Sequence, residues 1–155
     1  LDYRYRKMRS QVDKRIQTAL YAVYFEKETP VIRAAQLQIK SYLKGSLTKF
    51  SLPIEMIGTS FQLSVWKALL TIPYGSTISY LELAQKIGDK KAVRAVAAAN
   101  GANALALMIP CHRVIGSNNK LMGYAGGIPV KKKLLNLEMS QSQNPNELPF
   151  FLEDD

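Results

Sequence analysis

Cys111 and His112 are the only cysteine and the only histidine in the chain, and they are adjacent. A thiolate is the reactive form of cysteine, and an imidazole beside it can take the thiol proton. The pair therefore points to nucleophilic chemistry at sulfur. The bland alternative is a buried cysteine serving as a small hydrophobe. Neighbours in an extended segment point opposite ways, so joint action needs a tight turn or a bridging water. One cysteine excludes an internal disulfide and fits a reducing, intracellular setting. One Cys and one His cannot build a tetrahedral structural zinc site within the chain.

The flanks frame the pair. An apolar run, Ala104–Ile109, leads into Pro110, and the Gly-rich stretch Gly116–Gly127 follows Ile115. The run reads as a buried strand that ends at Pro110, which has no N–H to offer a ladder. The 155 residues suit one domain with a short appendage, and the 47% apolar content suffices for a core. Net charge is +9, which favours polyanionic partners, although many soluble proteins are simply basic. No apolar run has the length of a membrane span and no signal peptide is visible. The first residue is Leu rather than Met, so the natural N-terminus is expected upstream.

Several elements must position the pair. Residues 1–8 alternate aromatic and basic side chains and fit a strand end or an ordered tail. Apolar residues at helical spacing predict a helix over Arg9–Phe25 and another over Val31–Leu43, stopped by Gly45. Leu52–Ile57 reads as a strand whose partners are missing. Thr59 with Gln62, and Ser79 with Glu82, are capping boxes opening helices that carry Trp66 and Tyr80. Asp89 caps a further helix, Lys90–Asn100, ended by Gly101. The Tyr80–Ile87 and Lys90–Asn100 helices, joined at Gly88, form a helix-turn-helix pattern. The second is rich in alanine, which suits close approach to a DNA groove or simply tight packing. A last helix covers Pro129–Met139, and Ser140–Pro149 reads as a mobile tail.

These residues resemble the O6-alkylguanine-DNA alkyltransferase family, the methylated-DNA–protein-cysteine methyltransferases. The resemblance runs from about Leu52 to Glu138. It rests on Phe61-Gln62, Val65-Trp66, Ile78-Ser79-Tyr80, Ala92-Val93-Arg94-Ala95-Val96, Asn103, Pro110-Cys111-His112-Arg113-Val114-Ile115, Gly123-Tyr124-Ala125-Gly126-Gly127 and Leu134-Leu135-x-x-Glu138. The look is most like the alkyltransferase half of the bacterial adaptive-response protein. The first 50 residues match only loosely.

The resemblance implies a one-shot reaction. Cys111 would accept the alkyl group from O6 of guanine, with O4-alkylthymine a further candidate, and keep it. His112 would be the base acting through a water, and Glu138 would orient the imidazole; taken alone, Glu138 is also what a solvated helix-end carboxylate looks like. The base must leave the stack to be reached. By resemblance Arg94, with Ala95 beside it, enters the minor groove and fills the gap. Tyr80 crowds the phosphate 3′ to the target, and Asn103 ties the DNA-binding helix to the active-site segment. Tyr80, Val114, Tyr124, Ala125 and Gly126 would line the base pocket. Arg113 is expected to organise structure. Each also has a plain structural reading: an exposed helix charge for Arg94, a core-edge phenol for Tyr80, a turn residue for Asn103, a surface loop for the glycines.

Three positions depart from the common family pattern. Ala104 replaces a proline after the hinge asparagine, which loosens that hinge. Ala97 stands where many members have Gly, and Ala125 where some have Ser. Zinc ligands found in some members are absent. The expected fold class is α/β (α+β): a small N-terminal sheet with helices over 1–57, a mostly helical, winged-helix-like domain over 58–139, and a tail over 140–155. No cofactor or metal is expected. The implied partner is double-stranded DNA containing O6-alkylguanine, bound by a monomer in the cytoplasm (or a nucleus), with no membrane. The alternative is a non-enzymatic sensor of alkylated DNA, or the output half of a regulator. A Cys–His hydrolase is disfavoured because it leaves the helix-turn-helix without a role.

Overall fold

The computed structural model describes residues 2–142. Six α-helices, numbered in chain order, surround one short sheet: α1 Arg9–Leu20, α2 Pro30–Leu43, α3 Ser60–Leu69, α4 Tyr80–Lys86, α5 Val93–Gly101 and α6 Ile128–Gln141. The sheet pairs β1, Ile78–Ser79, in parallel with β2, Val114–Ile115, so that Ile78 faces Val114 and Ser79 faces Ile115. Single turns of 3-10 helix occupy Lys90–Ala92 and Cys111–Arg113. No helix among the described residues is long and apolar enough to cross a membrane.

Local signals set the helix starts. Both capping boxes form, Thr59 with Gln62 on α3 and Ser79 with Glu82 on α4. Each side-chain oxygen satisfies an N–H that the helix start would otherwise leave orphaned. Thr29 caps α2 and Asp89 caps the turn that leads into α5. Ser79 is thus both the N-cap of α4 and the last residue of β1. This ties Tyr80, the first residue of α4, to β2, the strand that follows the Cys111–Arg113 turn.

The core sits between α3, α4 and α5. Trp66, Leu69, Leu83, Val96, Ile109, Cys111 and Val114 pack together, and the indole Nε1 donates to Ala99 O at 2.8 Å. A second cluster joins Tyr42 of α2 to Leu107 and Leu134 of α6. Helix α2 is therefore packed against the second half of the chain.

Several expectations are corrected. Helix α1 stops at Leu20 rather than Phe25, because Tyr21 turns left-handed at φ 49°. Leu20, Val23 and Tyr24 keep helical spacing with Val12 and Ile16 but stand exposed. Residues 52–57 form no strand; with no neighbouring strand to pair, Ile54 and Met56 instead press onto the core. The only sheet among the described residues lies in the second half of the chain, not in 1–57. Residues 104–109 are turns, not a strand: Ile109 N donates back to Leu105 O at 2.9 Å, and Leu107 is left-handed at φ 70°. Apolar content buried this run without extending it. Helix α6 begins at Ile128 and continues to Gln141, so Ser140 and Gln141 are helical rather than tail. The rest of the expected tail, 143–155, lies outside the described residues.

Candidate active site

The tight turn that the adjacent pair requires is the 3-10 turn Cys111–Arg113, with β2 directly after it. Cys111, His112 and Arg113 are all buried. Pro110 O accepts from Arg113 N at 3.1 Å, which closes the turn. Cys111 and His112 therefore share one turn, and neither side chain reaches open solvent.

Glu138, from α6, is fully buried rather than solvated. Five donors converge on its two oxygens. Oε1 accepts from Tyr42 Oη at 2.5 Å, His112 Nε2 at 2.8 Å and Arg113 Nη2 at 3.0 Å. Oε2 accepts from Arg113 Nε at 2.8 Å and Gly75 N at 3.1 Å. Gly75 has φ +75°, and a Cβ there would lie 2.6 Å from Ser142 Cβ, so glycine is what lets this N–H approach. The remaining arginine nitrogen, Nη1, donates to Ile72 O at 2.7 Å.

This network fixes the imidazole. An ionised carboxylate only accepts, so Nε2 carries the proton. Nδ1 of the neutral ring is then a bare lone pair, and it has no protein hydrogen-bond partner among the described residues. Burial pushes His112 below its ordinary 6.5, opposed by Glu138, so it rests neutral. Burial alone would raise the Glu138 carboxyl; hydrogen bonds from His112 and Arg113, and their charge, overcome this and pull it from 4.5 to about 2.

The sulfur is held differently. Asn103 Nδ2 donates to Cys111 Sγ at 3.2 Å and to Ile109 O at 2.9 Å, while its Oδ1 accepts from Leu105 N at 2.9 Å. Asn103 thus ties the segment after α5 to the catalytic turn. Asn100, still within α5, adds Nδ2 to Cys111 O at 3.3 Å. Burial pushes the Cys111 thiol above its ordinary 9.0, offset only in part by Asn103 and by the charge of Lys131. At rest the site therefore holds a thiol and a neutral imidazole. Any attack by the sulfur would require that proton to leave.

The remaining expected residues fall in two places. Val114 is fully buried behind the turn; Tyr124, Ala125 and Gly126 are half-buried on the loop before α6. The Tyr124 ring stands edge-on to His112, with centroids 6.3 Å apart. Tyr80 is half-buried at the start of α4; burial raises its phenol, and the neighbouring Asn100 side chain works against this. Arg94 and Ala95 lie exposed on α5.

Residues that the sequence did not single out complete the site. Lys131 of α6 is fully buried and donates from Nζ to Val114 O at 2.6 Å and Met122 O at 2.7 Å. It ties the middle of the Gly-rich loop back to β2, and burial lowers it from 10.5 to about 8. Tyr42 and Asn100 look like ordinary helix residues in sequence, since only the fold brings them to Glu138 and Cys111. The described residues hold no cluster of three or more His, Cys, Asp or Glu side chains that could bind a metal.

Comparison with known proteins agrees with this geometry. Residues 60–140 match the family described as 6-O-methylguanine DNA methyltransferase, DNA binding domain. The methylated-DNA–protein-cysteine methyltransferase of Mycobacterium tuberculosis is 53% identical over 114 residues, covering 74% of this chain and 68% of the relative. An inducible methylated-DNA–protein-cysteine methyltransferase of Bacillus subtilis is 51% identical over 106 residues, covering 68% of this chain and 59% of the relative. Among solved structures, M. tuberculosis OGT in complex with DNA superposes with a TM-score of 0.70 at 53% identity, covering 71% of this chain and 68% of that one. A buried thiol beside an imidazole pinned to a helix carboxylate, the matching sequence and the matching fold lead to one conclusion: this chain belongs to the 6-O-methylguanine DNA methyltransferase family.

Proposed function

We propose that the protein repairs alkylated DNA by direct reversal, moving the alkyl group from O6 of guanine in a duplex onto Cys111 in a single turnover. The observation that carries this reading is the imidazole: Nε2 is committed to Glu138, which leaves Nδ1 as a base on the same turn as the sulfur. The thiol proton passes through a water to Nδ1 as sulfur attacks the alkyl carbon. The S–C bond forms, the C–O bond breaks, and its electron pair stays with the purine. A proton taken up by the purine restores guanine, with the Tyr80 hydroxyl a donor toward the departing oxygen. The thioether has no route back, so each molecule acts once and no cofactor enters.

The test is intact-mass analysis of full-length protein after exposure to duplexes with and without O6-methylguanine. A gain of one methyl, located on the Cys111 peptide and only with the modified duplex, is expected. No gain under single-turnover conditions refutes the reading. A duplex with O4-methylthymine tests the further substrate.

We infer that α4 and α5 supply the DNA-binding surface, with residues 58–139 as the functional unit, 1–57 packed against it, and the protein acting as a monomer. The target base leaves the stack, and Arg94, exposed on α5, enters the gap; its planar cation can stack and bond to the orphaned partner. Arg94→Ala should slow transfer from duplex DNA by roughly 10–100-fold, while transfer from a single strand, which needs no extrusion, changes less than about threefold. Equal slowing on both substrates would remove the gap-filling role.

Tyr42 acts through Glu138. Its hydroxyl shares Oε1 with His112 and lies 3.3 Å from Nε2. Burial and the neighbouring carboxylate raise the phenol, so it stays a donor. Tyr42→Phe keeps the ring against Phe50 and Tyr74 and removes only that donor. The His112 titration in the variant, followed by NMR, should move up, because Oε1 is then shared with one donor fewer. The transfer rate should change by about 3–10-fold. An unmoved titration would make Tyr42 purely structural.

A further inference from the structure

Cys111 is only 3% exposed, yet the proposed reaction requires a purine beside its sulfur. Two surface clefts, one lined by Ser64, Lys67 and Ile87 and the other by Asp2, Val12 and Tyr24, do not border Cys111. The N-terminal segment lies against the residues assigned above to the base pocket. Tyr3 Oη meets Tyr124 Oη at 2.8 Å, and the two rings stand edge to face with centroids 5.4 Å apart. A Cβ built on Gly126 would lie 2.7 Å from the Tyr3 ring, so the ring rests directly on the glycine backbone. Burial raises the Tyr3 phenol, opposed by its hydrogen bond with Tyr124, while the charge of Cys111 adds to the rise. Tyr124 and Gly126 are the residues assigned above to the base pocket.

The segment is anchored at one end of the DNA-binding helix. Arg6, itself buried, donates from Nη1 to Asn103 O at 2.7 Å and to Asp2 at 2.7 Å, and from Nη2 to Gly101 O. Arg15 donates to Ala102 O at 3.0 Å. Three successive carbonyls between α5 and the catalytic turn are thus held by arginines of the N-terminal segment. Residues 2–8 themselves belong to no helix or strand, so displacing them breaks little regular structure.

We propose that residues 2–6 form an occluding arm, in which Tyr3 occupies the place of the extruded base and must withdraw before any base can reach Cys111. The ring resembles the ligand it excludes: flat, aromatic, with one polar edge turned to Tyr124. An incoming base competes with it for the same surface, so the sulfur is shielded from small electrophiles until DNA delivers a purine. The proposal rests on the base-pocket assignment above.

The test compares full-length wild type with Tyr3→Ala, Tyr3→Phe and Arg6→Gln. Iodoacetamide labelling of Cys111 without DNA reports exposure of the thiol, and single-turnover transfer from an O6-methylguanine duplex reports function. If the arm is closed about 90–99% of the time, releasing it raises both rates roughly 10–100-fold in Tyr3→Ala and Arg6→Gln. Tyr3→Phe, which keeps the ring, rises far less. An unchanged labelling rate in folded Tyr3→Ala overturns the arm, as does a slower transfer, which would make Tyr3 a wall of the pocket. Should Tyr3→Ala fail to fold by circular dichroism, Arg6→Gln decides by the same criterion. Faster labelling with no methyl transfer in any protein would instead sink the proposed function and leave the arm standing.

Discussion

Cys111→Ser abolishes alkyl transfer, by a factor on the order of 10^4 or more, while binding to duplex DNA stays within about threefold. The argument is one of acidity. The wild-type thiol is already raised by burial, and a neutral imidazole can still draw its proton because sulfur is intrinsically acidic and nucleophilic. A hydroxyl in the same place is a far weaker acid, and the His112 lone pair cannot generate the alkoxide. The substitution is otherwise mild. Asn103 Nδ2, 3.2 Å from the sulfur, can donate to the new oxygen, so the stability loss should be about 1–2 kcal/mol. Binding survives because the proposed DNA contact is the exposed Arg94 of α5, whereas Cys111 is buried. Intact mass and a gel-shift titration on one preparation measure both halves. A serine protein that still clears O6-methylguanine would exclude Cys111 as the acceptor.

The second large effect falls on Glu138. Its two oxygens accept five donors, and Glu138→Gln turns one oxygen into an amide that can only donate. Whichever way the amide faces, at least one Arg113 nitrogen and a second donor lose their acceptor, and the guanidinium is left without a counter-charge in the interior. Breaking one side of a buried pair in this way costs about 3–5 kcal/mol. The transfer rate should fall by about 10^2–10^4-fold, because Nε2–H loses the charge that stabilises the imidazolium formed during attack. The same group sets the acid response. Its folded pKa, about 2, lies below its ordinary 4.5, so its stabilisation is complete above 4.5 and is lost as pH falls towards 2. His112 works in the same direction, since its folded pKa lies below 6.5 and the unfolded chain takes up the proton first. Chemical denaturation from pH 7 to pH 2 should show wild-type stability declining in two stages, with the lower stage missing in Glu138→Gln. An unchanged lower stage would mean that the carboxylate is not the group titrating there.

Much of this site was legible in the chain itself. The adjacent Cys111 and His112 declared a nucleophile and a base, and their adjacency demanded a turn, which the 3-10 segment provides. Both capping boxes form because a cap is a contact between residues three apart, which the sequence states directly. Extended segments were less legible. Residues 52–57 and 104–109 have strand-like composition, but a strand exists only through a partner, and neither run finds one. The stop of α1 at Leu20 has the same origin: helical spacing predicts a face, and Tyr21 to Phe25 have no surface to cover.

By itself, then, the sequence picked out the candidate reacting pair, the capped helix starts and the family, since each depends on residue types at short, fixed spacing. Only the tertiary structure decided who holds those atoms. Tyr42, Gly75 and Arg113 meet at Glu138 from three separate parts of the chain, Lys131 clasps the loop from α6, and Tyr3 lies across Tyr124 and Gly126 from more than a hundred residues away. Such contacts arise when burial forces polar groups to find partners wherever the packed chain brings them, and no local pattern records that outcome.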